Sequence, residues 1–228
     1  MKKILGILRG FPGLGRVVSG VSILETLRDS YGYDVKIISY LQGNKYLYSR
    51  GYNNLNEVTP MDYCSIGLLP TNKMGVYIHN CIREFTPDLI VVDGEPLMIK
   101  SIKISHPSIK VVALLNPADV VNSNNYKEAM DFFNEFYSLS DLAIVHGLRR
   151  IDKDSRYNEF LSISTIIRPE IIGIKNVPTN NIYCVLGGGT VNVEQQFVDS
   201  TITIGQLCQK VASLLPQYTM HIVCSSQN

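Results

Sequence analysis

The amino-acid sequence predicts an α/β fold built on a doubly wound, Rossmann-like parallel β-sheet. Short, almost entirely apolar runs recur along the chain, as expected of strands that are covered on both faces. Segments with helical spacing of apolar residues separate these runs, so strand and helix alternate. The first apolar run, 3–8, ends in a glycine-rich bend that leads directly into a helical segment, the usual opening of such a domain.

The bounds of the predicted strands and helices follow from this alternation and from the glycine and proline residues that start or end helices. Gly32 supplies a left-handed cap for the first helix, Pro87 ends a later one, and Pro96 suits the first turn of the next. The predicted strands are 3–8, 34–39, 88–92, 110–115, 142–145 and 161–167, and the predicted helices are 17–28, 44–51, 73–85, 96–104 and 126–139. Together they make one complete N-terminal domain.

A second, shorter unit begins near the C-terminal end. An apolar strand at 182–186 runs into three glycines, a long helical pattern follows over 196–215, and a further strand is predicted at 218–223. This is the first β-α-β of a second Rossmann-like domain. We therefore expect an N-terminal domain over 1–168, a turn-rich linker over 169–180 and a partial C-terminal domain over 181–228.

Composition narrows the function class. The 228 residues are 45% hydrophobic and 18% charged with a net charge of +1, so no global field attracts nucleic acid. Five cysteines without a CxxC pair are typical of free thiols in a reducing compartment and predict no metal site. The apolar run at the N-terminus is too short for a signal peptide, and no stretch approaches the ~20 residues of a membrane span. We expect a cytoplasmic protein and leave peripheral contact with the inner membrane face open.

Three common active-site motifs do not fit. No GxSxG elbow supports a serine hydrolase, and no glycine-rich loop ends in the Gly-Lys-Ser/Thr of a Walker A motif. The first glycine loop lacks the third glycine of the dinucleotide fingerprint, which leaves an NAD-binding protein as a remote alternative.

Four segments, in this order, resemble the GT-B glycosyltransferases, and most of all the family-28-related group that includes the peptidoglycan GlcNAc transferase and "predicted glycosyltransferase" proteins. The segments are Gly13-Leu14-Gly15-Arg16, the run from Pro87 to Pro96, Ile167-Arg168-Pro169-Glu170, and Leu186-Gly187-Gly188-Gly189-Thr190. Their order and spacing are more specific than any one of them, and they extend over nearly the whole chain.

The resemblance implies transfer of a hexose or N-acetylhexosamine from a nucleoside diphosphate sugar, such as a UDP-sugar, to an acceptor hydroxyl. It implies no cofactor besides this nucleotide-sugar co-substrate. The N-terminal domain would bind a carbohydrate, lipid-linked or small-molecule acceptor, and the C-terminal domain would bind the donor. Because the donor half is short, we expect an incomplete transferase. The alternative is a non-catalytic acceptor-binding or partner-binding subunit of a split transferase, in a homo-oligomer or with a chain that supplies the donor half.

The acceptor side has two groups of candidates. Gly13 and Gly15 make either a tight turn or, with Arg16, an anion cradle at a helix N-terminus. Many relatives carry a histidine at the position of Arg16, and a guanidinium cannot replace it as a base. Asn116 and Asp119 follow the predicted strand 110–115, at the carboxyl edge of the sheet, where open α/β sheets bind ligands.

The catalytic candidates are Asp93, Glu95 and His146, each just after a predicted strand. Either carboxylate could accept the proton of an acceptor hydroxyl, or could instead cap the helix that follows. His146 is either a base facing the cleft or a structural residue. On the donor side, Gly187, Gly188, Gly189 and Thr190 form a loop whose amides suit a diphosphate, unless the loop is a plain turn.

Overall fold

The computed structural model describes residues 1–10, 13–53, 55, 72–121, 127–175, 177–185 and 200–223. These residues divide into two compact units, 1–173 and 174–228. The strands are β1 (Lys3–Leu8), β2 (Asp34–Ile38), β3 (Leu89–Asp93), β4 (Lys110–Leu115), β5 (Leu142–Gly147), β6 (Phe160–Ser164), β7 (Asn181–Val185) and β8 (Thr219–Val223). The helices are α1 (Gly15–Tyr31), α2 (Gln42–Ser49), α3 (Asn72–Phe85), α4 (Pro96–Ser105), α5 (Pro117–Val120), α6 (Lys127–Tyr137), α7 (Pro169–Ile172) and α8 (Ser200–Leu214).

Unit 1 contains a six-stranded sheet in the order β2-β1-β3-β4-β5-β6, and every pair of neighbouring strands is parallel. The chain therefore leaves β1 on one side to form β2 and later returns to the other side of β1 as β3. This reversal is the topological switch point at which open α/β sheets bind their ligands. The predicted doubly wound parallel sheet is confirmed.

The two-residue period of the strands distributes the core over both faces of this sheet. Ile4 and Leu8 of β1 pack with α1 and α2 in one buried cluster, whereas Leu5 and Ile7 pack with α3, α4 and α6 in the other. The alternation explains why the strands read as continuous apolar runs: both faces are covered by helices, so neither face needs polar side chains.

Unit 2 contains β7, α8 and β8, and its two strands pair in parallel from Asn181 with Thr219 to Val185 with Val223. The glycine loop at 187–190 falls outside the described residues. The short helix α7 and the division between the units both lie near the stretch predicted as the linker. In the part of the chain that the structure describes, no helix is both long and apolar enough to cross a membrane.

Candidate functional site at the carboxyl edge of the sheet

The loops that follow β1, β3, β4 and β5 meet at the carboxyl edge of the six-stranded sheet. Arg16 lies in the first turn of α1, Asp93 is the last residue of β3, Asp119 belongs to α5, and His146 is the penultimate residue of β5. Parallel strands all end on this side, so residues far apart in sequence come together here. The sequence predicted each of these four residues as a site candidate.

Arg16 joins two of these loops through a buried ion cluster. One terminal nitrogen donates to Oδ1 of Asp93 at 2.7 Å, and the other donates to Oδ1 of Asp119 at 2.6 Å. Oδ2 of Asp119 accepts the backbone N–H of Asn116 at 2.8 Å. Oδ2 of Asp93 is buried and has no hydrogen-bond partner among the described residues. Because both terminal nitrogens of Arg16 are occupied, its predicted contact with an anion of the acceptor stays a prediction.

Burial controls the ionisation of this cluster. Asp93 is 1% exposed, and loss of solvation raises its pKa to about 6 although the charge and hydrogen bond of Arg16 act in the opposite direction. Burial also disfavours the Arg16 cation, but the two carboxylates outweigh that effect and hold its pKa well above the ordinary value. Arg16 is therefore permanently charged, whereas Asp93 changes its charge within the range of mild acid.

Glu95 forms a second buried polar contact, in which its Oε1 accepts the hydroxyl proton of Tyr40. Burial raises the pKa of Glu95 to about 7, and the hydrogen bond from Tyr40 only partly opposes this. Glu95 occupies the N-cap position of α4, yet its side chain makes no capping hydrogen bond. The capping role that the sequence left open for Glu95 is therefore not what the side chain does.

Gly94 lies between these two carboxylates and is the reason that they fit. Its φ is +83°, a left-handed conformation that glycine adopts at little cost. A Cβ at this position would lie 2.7 Å from Cβ of Arg9 and 2.6 Å from Cδ of Arg16. In the sequence Asp-Gly-Glu, two acidic residues therefore flank a glycine. The glycine has no side chain, and this leaves room for the side chains of Arg9 and Arg16.

A second layer from α6 and from the loop before β6 supports Asp119. Asn134 is 0% exposed and donates from Nδ2 to the backbone oxygen of Asp119 at 2.9 Å, while its Oδ1 accepts the hydroxyl proton of Tyr157. Sequence reasoning did not identify these two residues. An asparagine within an amphipathic helix carries no local signal that its partner is a loop 15 residues away.

A pocket of about 450 Å³ opens beside this cluster, within unit 1. Leu14 and Gly15 line it from the start of α1, Asn116 from the loop after β4, His146 from β5, and Arg168 from the segment after β6. Its size is typical of a small-molecule site, for which about 300–1,000 Å³ is usual. The sequence had predicted Gly15, Asn116 and His146 for the site and did not give Arg168 a role there.

His146 is the candidate base that the structure places at this pocket. It is 7% exposed, and none of the hydrogen bonds among the described residues uses its ring. Burial lowers its pKa below the ordinary 6.5, the charge of Arg16 adds to this effect, and Asp119 partly opposes it. The imidazole is therefore neutral at pH 7 and keeps a lone pair on one ring nitrogen.

The remaining predicted site residues are less well connected. Gly13 is exposed in the loop before α1, with a φ of +131°. Gly187, Gly188, Gly189 and Thr190 lie outside the described residues, so their predicted contact with a donor diphosphate stays a prediction. In the described ranges no group of three or more His, Cys, Asp or Glu side chains could hold a metal ion.

No model of a protein family matches this chain, and neither does any curated protein. Solved structures do match. UGT2 of Phytolacca americana, complexed with UDP-2-fluoro-glucose and pterostilbene, aligns with a TM-score of 0.63 at 9% identity over 100% of this chain and 72% of its own. UGT89C1 of Arabidopsis thaliana, complexed with UDP, aligns with a TM-score of 0.58 at 13% identity over 92% of this chain and 64% of its own.

A third match is the spinosyn forosaminyltransferase SpnP, with a TM-score of 0.57 at 11% identity over 100% of this chain and 67% of that one. The chain spans between 64% and 72% of the length of these three solved chains. These neighbours are GT-B glycosyltransferases, and the chain shares their fold. At such low identity the likeness defines the fold, and activity has to be argued from the site.

Proposed function

We propose that this chain contributes to a glycosyltransferase that moves a hexose or N-acetylhexosamine from a nucleoside diphosphate sugar to an acceptor hydroxyl. The fold shared with SpnP, a forosaminyltransferase, and with UGT2, solved with UDP-2-fluoro-glucose, supports this class of reaction. The observation that carries the proposal is the neutral ring of His146 at a pocket on the carboxyl edge of the sheet, to which no described residue forms a hydrogen bond.

In this reaction the acceptor binds in the pocket with its hydroxyl at the ring of His146. As the hydroxyl oxygen attacks the anomeric carbon, His146 accepts the hydroxyl proton. The bond between the anomeric carbon and the diphosphate oxygen breaks, and the nucleoside diphosphate leaves with the electron pair. A pKa below 6.5 suits His146 to this task, since its base form is already present at neutral pH.

Asp93 and Glu95 have supporting roles in this proposal. Neither lines the pocket, Asp93 is held by Arg16, and Glu95 is held by Tyr40. They fix Arg16 and the loop after β3, while Asn116 and Gly15 line the acceptor pocket. On the donor side, we propose that the loop at Gly187, Gly188, Gly189 and Thr190 binds the diphosphate through its backbone amides.

The test is a transfer and hydrolysis assay of the chain with a panel of UDP- and dTDP-sugars. His146→Gln should lower kcat by roughly 10²–10⁴-fold, the usual contribution of a general base. His79→Gln is the matched control, because His79 is a half-buried histidine of α3 that does not line the pocket. The wild-type pH profile should rise through a pKa below 6.5 and then level off.

Two outcomes would overturn the proposal. One is that the chain neither binds nor hydrolyses any nucleotide sugar of the panel. The other is that His146→Gln transfers sugar at the wild-type rate, which would return the role of base to Asp93 or Glu95. The variants Asp93→Asn and Glu95→Gln, measured in the same assay, would then identify which carboxylate is responsible.

A further inference from the structure

The pocket beside His146 is lined by apolar side chains and one positively charged side chain. Leu14, Val18, Leu148 and Ile166 give it apolar walls. Arg168 contributes a cation, and no aspartate or glutamate is among the described residues that line it. A pocket with apolar walls and a single positive side chain suits a molecule that has an apolar body and a negative group.

Arg168 is the cation of this pocket. It is half-buried at the N-cap of α7, and none of the hydrogen bonds or ion pairs among the described residues uses its guanidinium. Arg16, Arg50 and Arg156 all bind carboxylates of this chain. The charge of Arg168 acts on nearby Glu170, but no described residue forms a hydrogen bond with its guanidinium. A partly desolvated arginine whose N–H groups are not used in this way is a ready donor for an anion from outside the chain.

The same pocket receives the N-terminus of α1. This helix is 17 residues long, Leu14 at its N-cap offers no side-chain hydrogen bond, and its first turn has no acidic residue. Leu14 and Gly15 line the pocket, so the positive end of the helix dipole borders it. His146, 7% exposed and with no hydrogen bond to its ring, is a further polar group that the described residues leave unpartnered at this pocket.

We propose that the acceptor is an amphiphile that carries an anionic group, a carboxylate or a phosphate monoester, in addition to its reacting hydroxyl. Arg168 and the amides at the start of α1 bind the anionic group, the apolar walls bind the body of the molecule, and His146 binds the hydroxyl. The inference rests on the proposed function, because it names the class of acceptor for the same pocket.

The test uses three probes with one apolar body: 4-phenylbutanol, 4-phenylbutyrate and 4-phenylbutyl phosphate. Their dissociation constants for the chain are measured by calorimetry in the absence of any nucleotide sugar. The anionic probes should bind at least about 10-fold more tightly than the alcohol, as expected for charge-assisted hydrogen bonds. Whichever anionic probe binds more tightly identifies the anionic group of the acceptor as carboxylate or phosphate.

Arg168→Gln should reduce the advantage of the anionic probes to less than about 3-fold and leave binding of the alcohol unchanged, since only the charge-assisted contact is lost. Arg149→Gln is the matched control: it removes the same charge from a nearby arginine that does not line the pocket. Melting temperatures of both variants confirm that they fold. Equal affinity for all three probes, or an equal loss in both variants, would overturn the inference.

This test separates the inference from the proposed function, because probe binding needs no donor. If the probes show the expected charge preference but no nucleotide sugar reacts, the proposed function fails and the anion site stands. If sugar transfer occurs while the probes bind without charge preference, the function stands and the anionic acceptor is excluded.

Discussion

The two edges of the six-stranded sheet use paired carboxylates in opposite ways. Asp93 at the carboxyl edge and Asp141 at the amino edge each lie within 3 Å of a cationic nitrogen. The pKa of Asp93 nevertheless rises to about 6, whereas that of Asp141 falls to about 2. An ion pair seen in a structure therefore does not by itself tell which way a carboxyl group is shifted.

Solvation and hydrogen bonding explain the difference. Burial works against ionisation at both residues, but Asp141 remains partly exposed and accepts hydrogen bonds from Lys103, Lys110 and the N–H of Val111. Asp93 is almost fully buried, and among the described residues its carboxylate accepts a hydrogen bond only from Arg16. The amino edge fixes the starts of strands, while the carboxyl edge keeps acidic groups close to their ionisation point beside a pocket.

Removing the cation at each edge should give the largest difference in stability between the two edges. Arg16→Met removes the cation that binds both Asp93 and Asp119, and we expect a loss of about 3–5 kcal/mol in the free energy of unfolding at pH 8. Lys103→Met leaves Asp141 partly exposed and still paired with Lys110, so its loss should stay below about 1 kcal/mol. Urea unfolding followed by circular dichroism measures both.

The loss in Arg16→Met should become smaller at pH 5, because Asp93 takes up a proton below its pKa of about 6. Similar losses for the two variants, or a loss in Arg16→Met that does not change with pH, would contradict the contrast between the edges.

A pH series on Glu95→Gln tests the carboxyl edge alone. The folded-state pKa of Glu95, about 7, exceeds the ordinary 4.5, so its contribution to stability is full below pH 4.5 and is lost as the pH rises through 7. Glutamine keeps an acceptor for Tyr40 and has no such loss. Relative to wild type, the variant should gain about 2–3 kcal/mol in the free energy of unfolding between pH 5 and pH 8.

Two reference variants sharpen this result. Glu135→Gln, at an exposed position of α6, should follow the wild-type pH dependence. Asp141→Asn should show the opposite behaviour: its deficit should be full above pH 4 and should disappear as the pH falls towards 2, because Asp141 stabilises the fold only when ionised. A flat difference between Glu95→Gln and wild type would show that burial does not control Glu95.

The smallest expected difference is between two glycine variants, one of which fills the space between Arg9 and Arg16. Gly94→Ala introduces both a left-handed alanine and contacts with Arg9 and Arg16, and it should cost about 2–3 kcal/mol. Gly51→Ala has a similar φ of +86°, but no atom of the described residues lies within 4 Å of the added Cβ, so it should cost only about 1 kcal/mol. Equal costs, measured by urea unfolding, would mean that the close packing around Gly94 is easily relieved.

Much of the fold could be predicted because its signal is local. Apolar runs with both faces covered and breaks at Gly32, Pro87 and Pro96 define the strands and the longer helices of unit 1 to within a few residues. The four-residue helices α5 and α7 were not predicted. The order of strands in the sheet carries no such signal, since it depends on which strands pair across long stretches of chain.

The candidate site divides in the same way. Asp93, Glu95, Asn116 and His146 could be found because each follows or ends a parallel strand. The same rule extends to Tyr40 and Thr165, which follow β2 and β6. The partners could not be found, because the contact of Arg16 with Asp119 spans 103 residues and no local pattern encodes it.

The ion cluster also has a consequence for how this sequence can change over generations. Replacing Asp93 or Asp119 removes one of the two carboxylates that bind Arg16, and replacing Arg16 removes the cation that binds both carboxylates. Each single substitution therefore gives a destabilised protein. We therefore expect the residues at positions 16, 93 and 119 to change together during evolution. Among distant descendants of this gene, a histidine in place of Arg16 should be accompanied by a neutral residue at one of the two acidic positions.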